Sequence, residues 1–443
     1  MEFSSLEFLI RFLPIFLIVY YVAPARLRNP VLFLGSILFY SMGSWQDAIL
    51  LAVSMTINFI AVLIMDRQRH KARRVILILL LIYNVGMLCF FKYTDWALPL
   101  GISFYTFTML SYVLDVYWKK EDALTNYLDF GTYVWMFPKL IMGPIASFRD
   151  TADQLRKRRI DKKCIEHGIS LFVVGLGYKV IIANHLAILW RDIQGIGFES
   201  ISTPLAWIGA AGYSAQLFFD FQGYSLMAFG IGEMLGFSLP QNFNHPYRSK
   251  TVSEYYRRWH ISLGQWFRNY LYIPLGGNRK GAARTFLNLL VVWVVTGMWH
   301  GASVNFPLWG LLLFVFIALE KFCIGDFLER HGILARLYIW FVIPLTWVVF
   351  AISDLKGLGV YFSRLFPFFS EGVAVNASDW MKYGRTYVLF FLLAFIVSLP
   401  VVDRLWKKFW DKGWMTVILF ALFWFCVYEI ANGLNNPFLY FSF

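Results

Sequence analysis

His300 is the only group able to titrate near neutral pH in a run of 35 residues, Thr285 to Leu319, that contains no Asp, Glu, Lys or Arg. One helical crossing of a bilayer core takes about 20 apolar residues, so this run sets His300 at or near membrane depth. Ionisable groups at that depth are costly and are kept for ion paths, proton relays or catalysis. Gly297, Gly301 and Pro307 interrupt the run, which predicts a broken or re-entrant segment lining a cavity rather than a helix facing lipid. In a dry cavity burial lowers a histidine pKa and keeps the imidazole in its base form, ready to accept a proton. Forty residues earlier the pair Trp259-His260 repeats the order of Trp299-His300.

The elements that must position these histidines are membrane helices. Of the 443 residues, 59% are hydrophobic and 20% aromatic, only 15% are charged, and the mean hydropathy is +0.57. That leaves too little polar surface for a soluble globule and predicts an all-α polytopic membrane protein. Twelve apolar runs separate: Leu6–Ala23, Val31–Met42, Ala48–Met65, Val75–Phe91, Leu98–Trp118, Tyr127–Phe148, Gly168–Trp190, Leu205–Leu235, Phe286–Leu319, Leu337–Ile352, Tyr387–Val402 and Met415–Ile430. Some are short and some are double length, so roughly 10 to 12 crossings are expected, with re-entrant and interfacial helices around a central funnel. Met1 to Ala23 lacks the basic leader of a signal peptide and reads as the first helix.

The net charge of +13 is gathered in loops. Arg67 to Arg74 holds five basic residues, Arg149 to Lys163 seven against three acidic, and Arg248 to Arg284 eight against Glu254 alone. The positive-inside rule places all three in the cytoplasm, with the N-terminus outside. Lys119-Lys120 reads as cytoplasmic too, so Tyr127–Phe148 joins two loops on one face. Carrying Pro138, Lys139, Gly143 and Pro144, it is expected to dip in and return or to lie in the interface. Such a basic face contacts anionic lipid and attracts a phosphate-bearing donor.

In the third loop an Arg pair, Arg257-Arg258, abuts Trp259-His260, and Ser253 or Thr251 can cap a helix with Glu254 in its first turn. Gln265 to Arg279 mixes Trp, Tyr and Arg in the manner of an amphipathic helix at the headgroups. Taken alone, His260 reads equally as a headgroup-facing residue of such an anchor, and His300 as a core histidine between helices.

An ordered series of motifs resembles the membrane-bound O-acyltransferases. It comprises Gly101-Ile102-Ser103-Phe104-Tyr105-Thr106-Phe107, Gly143-Pro144-Ile145, Phe219-Asp220-Phe221-Gln222-Gly223-Tyr224-Ser225, Asn242-Phe243-Asn244, Arg257-Arg258-Trp259-His260-Ile261-Ser262, Tyr272 to Arg279, and Gly297-Met298-Trp299-His300-Gly301. Pro437-Phe438-Leu439-Tyr440-Phe441 fits as well. The resemblance runs from about Pro99 to Trp309, within the bacterial branch of the alginate O-acetylation membrane subunit. It implies one integral membrane domain over 1–443, with a family-like core at about 99–309 between N-terminal helices 1–98 and C-terminal helices 310–443. It also carries the family's catalytic histidine onto His300 and its second important histidine onto His260. The chain departs from the common pattern at Gln222, at Tyr255-Tyr256 and at Asn269, where an acid is usual.

The implied chemistry is acyl transfer to a hydroxyl with His300 as general base, while His260 positions the donor, polarises its carbonyl or relays the proton. Trp259, Trp299, Arg257, Arg258, Asp220 and Gln216 are the candidates for donor and substrate contact. Asp220 lies in an apolar run and needs an internal partner; Lys179 is one candidate. The other histidines, and Asp115, Glu233 and Asn58, receive no catalytic role. Cys89, Cys164, Cys323 and Cys426 lack CxxC spacing and predict neither disulfide nor metal site. No Gly-rich phosphate loop is present, so the acyl group must arrive activated, as acetyl-CoA or a carrier-protein thioester, with no tightly bound cofactor. The implied partners are membrane lipids, an acyl carrier protein, an extracytoplasmic acetyltransferase and a polysaccharide acceptor, not nucleic acid; the implied location is the plasma or inner membrane. D-alanyl transfer to teichoic acid, peptidoglycan O-acetylation and, in another class, a proton-coupled transporter are the competing readings.

Overall fold

The computed structural model describes residues 2–369, 376–434 and 438–439. All regular structure among them is helical, as the apolar runs predict. Among the described residues seven helical stretches are long and apolar enough to cross a membrane: Trp45–Arg67, His70–Tyr93, Lys162–Ile196, Ala282–His300, Gly332–Ala351, Asp379–Val397 and Gly413–Ala431. Shorter apolar helices such as Leu13–Val22, Ile102–Tyr117 and Asn305–Leu319 supplement them. The protein is a multi-pass membrane protein. Of the closing Pro437-to-Phe441 motif, Pro437, Tyr440 and Phe441 lie outside the described residues.

Packing divides the chain into two units. The first holds Met1–Gly175, Tyr224–Gln241 and Ile430–Pro437. Where its helices carry polar groups inside apolar stretches, those groups find one another. Asn58 and Asn84 exchange amide hydrogen bonds of 3.1 and 2.8 Å between two spanning helices, the polar bonding that holds helices together where water is absent. His167 meets Glu233 at 2.6 Å, and Asp115 pairs with Lys120 at 3.5 Å. Tyr127–Phe148 forms a nine-residue helix, Tyr127–Trp135, a break at Met136 and a single turn, Phe137–Leu140. Neither piece is long enough to cross, in keeping with a segment that dips in or stays at the interface.

The second unit holds Leu176–Gly223, Asn242–Glu429 and Phe438–Phe443. Its central feature is a tight helical hairpin. Ala282–His300 ends on the histidine itself, and Asn305–Leu319 returns beside it. Glycine permits the closeness: a Cβ at Gly297 would lie 2.4 Å from the Phe306 carbonyl oxygen, and one at Gly310 2.3 Å from that of Trp293. The predicted break therefore falls after His300, as a turn between two full helices. Asn305 Nδ2 fixes this turn by donating to the carbonyls of Val349 and Phe350 at 3.3 and 2.7 Å, capping the end of Gly332–Ala351.

Candidate active site

His300 owes its place to helix termination in an aromatic box. Its ring stands edge-on to Trp309 and Phe350, with centroids 5.1 and 5.2 Å away, and to its neighbour Trp299 at 4.9 Å. It is 8% exposed. Trp309 stacks in turn on Trp347 at 5.6 Å, and Trp347 meets Trp259 at 5.0 Å. One wall of indoles thus extends from His300 toward the residue before His260.

His260 is placed by different means. Two seven-residue helices, Val252–Arg258 and Ile261–Phe267, meet at Trp259-His260. The junction turns because His260 adopts a left-handed backbone, φ 45° and ψ 55°, a conformation uncommon for a residue with a side chain. Backbone bonds brace it: Ile261 N–H donates to the Asn242 carbonyl at 2.9 Å, and Asn244 N–H to that of Arg258 at 3.0 Å. Asn242 Oδ1 also accepts from Ser262 Oγ at 2.7 Å and faces His260 Nδ1 at 3.4 Å. That pairing suits a proton on Nδ1 and leaves Nε2 as the basic nitrogen. Burial pushes the His260 pKa down to about 3, so the ring is neutral at physiological pH.

Both histidines line one cavity of about 850 Å³. Its inner part is aromatic, with Tyr256, Trp293, Trp309, Trp347 and Phe350, and its outer part carries the exposed side chains of Arg257, Arg268 and Lys321. The volume suits a small-molecule site, apolar with a few polar groups. Of the residues predicted from sequence, His300, His260, Trp259 and Arg257 come together in this lining. Trp299 packs behind it, its ring 6.5 Å from His260 and in contact with His300.

Three predicted contacts stand elsewhere. Arg258 turns to Glu254 at 2.8 Å and does not line the cavity. Asp220 and Gln216 are buried on another face; Asp220 binds Lys179 Nζ at 2.5 Å and accepts Leu439 N–H at 2.8 Å. The anticipated Lys179 partnership is therefore present. Sequence reasoning left Asn242 and Glu320 without roles. Asn242 was visible within Asn242-Phe243-Asn244, and Glu320 as the first charge after the uncharged run. Thr251 is the residue that caps the Val252–Arg258 helix, accepting Glu254 N–H at 2.9 Å.

A cavity with two buried imidazoles among aromatic rings and cations at its exposed part marks a candidate active site in a membrane protein. The profile described as MBOAT, membrane-bound O-acyltransferase family, matches residues 119–353, and the chain belongs to that family and is an acyltransferase. It is similar to "Probable alginate O-acetylase AlgI" of Pseudomonas syringae pv. tomato, 37% identical over 83% of this chain and 76% of that protein. It is also similar to "Peptidoglycan O-acetyltransferase" of Helicobacter pylori, 32% identical over 80% of this chain and 77% of that one. "Teichoic acid D-alanyltransferase" of Bacillus subtilis shares 28% identity over 48% of this chain and 56% of that protein.

Proposed function

We propose that the protein transfers an acetyl group from a cytoplasmic thioester to a hydroxyl of a cell-envelope or exopolysaccharide glycan, with His300 as general base. The observation that carries this reading is the shared cavity, in which His300 and His260 lie inward of Arg257, Arg268 and Lys321. A thioester carbonyl that reaches the aromatic end comes beside His300. The acceptor O–H gives its proton to the imidazole as its oxygen attacks the carbonyl carbon. The C–S bond then breaks, and the imidazolium returns the proton to the departing thiolate. His260 positions the donor or polarises the carbonyl, Trp259 and Trp299 hold the two rings in place, and Arg257 attracts the donor's phosphates.

Acetyl-CoA is the donor this reading favours, because the outer cavity offers cations suited to its phosphates; a carrier-protein thioester presents the same group. Most of the chain's length is similar to two kinds of O-acetyl-transferring protein and only about half of it to a D-alanyltransferase. That ratio supports acetyl over D-alanyl as the cargo. Delivery to an extracytoplasmic glycan calls for basic loops in the cytoplasm, the plasma or inner membrane as the site, and an extracytoplasmic transferase to complete the step. The test is transfer of labelled acetyl from acetyl-CoA to envelope glycan in proteoliposomes that hold the purified protein together with the extracytoplasmic transferase. Transfer by wild type and none by His300→Ala supports the reading. Labelling from a D-alanyl carrier thioester alone replaces it with the second reading.

A further inference from the structure

We infer that Glu320 is a positioning residue of the transfer site: its carboxylate clamps the start of the Val252–Arg258 helix and thereby sets where His260 stands. The inference rests on the proposal that His260 takes part in transfer. Glu320 is 4% exposed and lines the cavity. It opens a π-helical turn, Glu320–Ile324, at the end of the hairpin's second helix. Such turns inside helices concentrate at functional sites. A Cβ on Gly325 would lie 2.5 Å from the Glu320 carbonyl oxygen, so glycine is what allows this turn to close so tightly.

The carboxylate accepts from four donors. Val252 N–H makes a short bond, Ser253 N–H and Ser253 Oγ–H each lie 2.9 Å away, and Tyr338 O–H lies 3.2 Å away. Among the described ion pairs none involves Glu320. Four donors fill the acceptor capacity of a carboxylate, which suits a clamp and not a proton acceptor for substrate. The helix it holds needs a clamp. Seven residues are too few for a stable isolated helix, and the first N–H groups of any helix lack internal partners. Thr251 satisfies Glu254 N–H, and Glu320 satisfies the two before it. His260 follows the last residue of this helix by two positions, so a shift of the helix moves the ring.

The test is a double-mutant cycle in proteoliposomes with labelled acetyl-CoA, comparing wild type, Glu320→Gln, His260→Ala and the double variant. Glu320→Gln is expected to lower kcat about tenfold with donor KM within about twofold, the scale of loss that a displaced catalytic group causes. In the His260→Ala background it should cost nothing further. Losses that multiply in the double variant overturn the inference, as does wild-type turnover by Glu320→Gln. Full turnover by His260→Ala refutes the His260 reading itself. Hydrogen exchange supplies a readout that needs no substrate: Glu320→Gln should speed exchange at Val252 and Ser253 and also at Trp259 to Ser262. Unchanged exchange at Trp259 to Ser262 overturns the inference whatever the donor is. Should Glu320→Gln fail to fold, Ser253→Ala removes one clamp bond and leaves the carboxylate. It should give a smaller loss of kcat that also vanishes beside His260→Ala; a loss that persists there contradicts the clamp.

Discussion

His300 and His260 share a cavity but are held by opposite kinds of chemistry. His300 ends a long apolar helix and is fixed by packing: glycines let the hairpin close, and indole and phenyl rings surround the imidazole. His260 sits in a left-handed link between two seven-residue helices and is fixed by hydrogen bonds that Asn242 accepts and by the Thr251 cap. Packing resists small polar changes and fails when volume changes; a hydrogen-bonded link tolerates volume and fails when one acceptor is lost. The two sites should therefore break under different substitutions.

Removing the proposed base should have the largest effect. His300→Ala should lower kcat at least about 10³-fold, within the range general-base catalysis supplies, and also lower the melting temperature, because it empties a packed aromatic box. Rates of acetyl transfer alongside a thermal melt in detergent check this. Next comes the hairpin. Gly310→Ala forces a methyl group against the Trp293 carbonyl and should destabilise by about 1–3 kcal/mol, the usual cost of overpacking, seen as a lower melting temperature. At the other site Asn242→Ala should reduce kcat about tenfold with donor KM little changed, because the His260 ring loses its orienting acceptor, and should lower the melting temperature, because buried Ser262 loses the same acceptor. Asn242→Asp keeps the volume and an accepting Oδ1 and should lose less; an equal loss from the two substitutions would contradict a role through that acceptor.

The smallest effect is a pH dependence that belongs to one histidine. The folded pKa of His260, about 3, lies below the ordinary value of 6.5, so the unfolded chain binds the proton more readily. Stability is thus fully present above pH 6.5 and is lost as pH falls toward 3. From pH 7.5 to 5.5 the loss is about 1 kcal/mol, following the linkage of proton binding to unfolding. His260→Phe should remove that share of the acid sensitivity, as chemical unfolding at the two pH values would register. An unchanged acid sensitivity would place the titrating group elsewhere.

The packed site was far more legible in the sequence than the hydrogen-bonded one. A 35-residue uncharged run with one histidine and three glycines announces a broken apolar segment and its candidate reactive group, because apolar length and missing charge act locally along the chain. Of the three interruptions read there, only Gly301 marks the turn: Gly297 serves close packing within one helix, and Pro307 lies in the first turn of the next. At the second site the aromatic-basic pattern suggested an interfacial helix, whereas His260 is buried at a link. Asn242 lies 18 residues before His260 and Glu320 lies 60 after it, so no periodicity within one helix could bring them together. Asp220 shows the converse. An acid in an apolar run signalled that a partner existed, but only the fold decides that Lys179 and Leu439 satisfy it, and not the cavity.

The most direct measurement is a structure of the protein with an unreactive ketone analogue of acetyl-CoA, in which a methylene replaces the thioester sulfur. The carbonyl should lie beside the His300 imidazole, with the phosphates among Arg257, Arg268 and Lys321. An analogue whose carbonyl lodges away from His300, or which binds outside this cavity while transfer is blocked, would contradict His300 as the base.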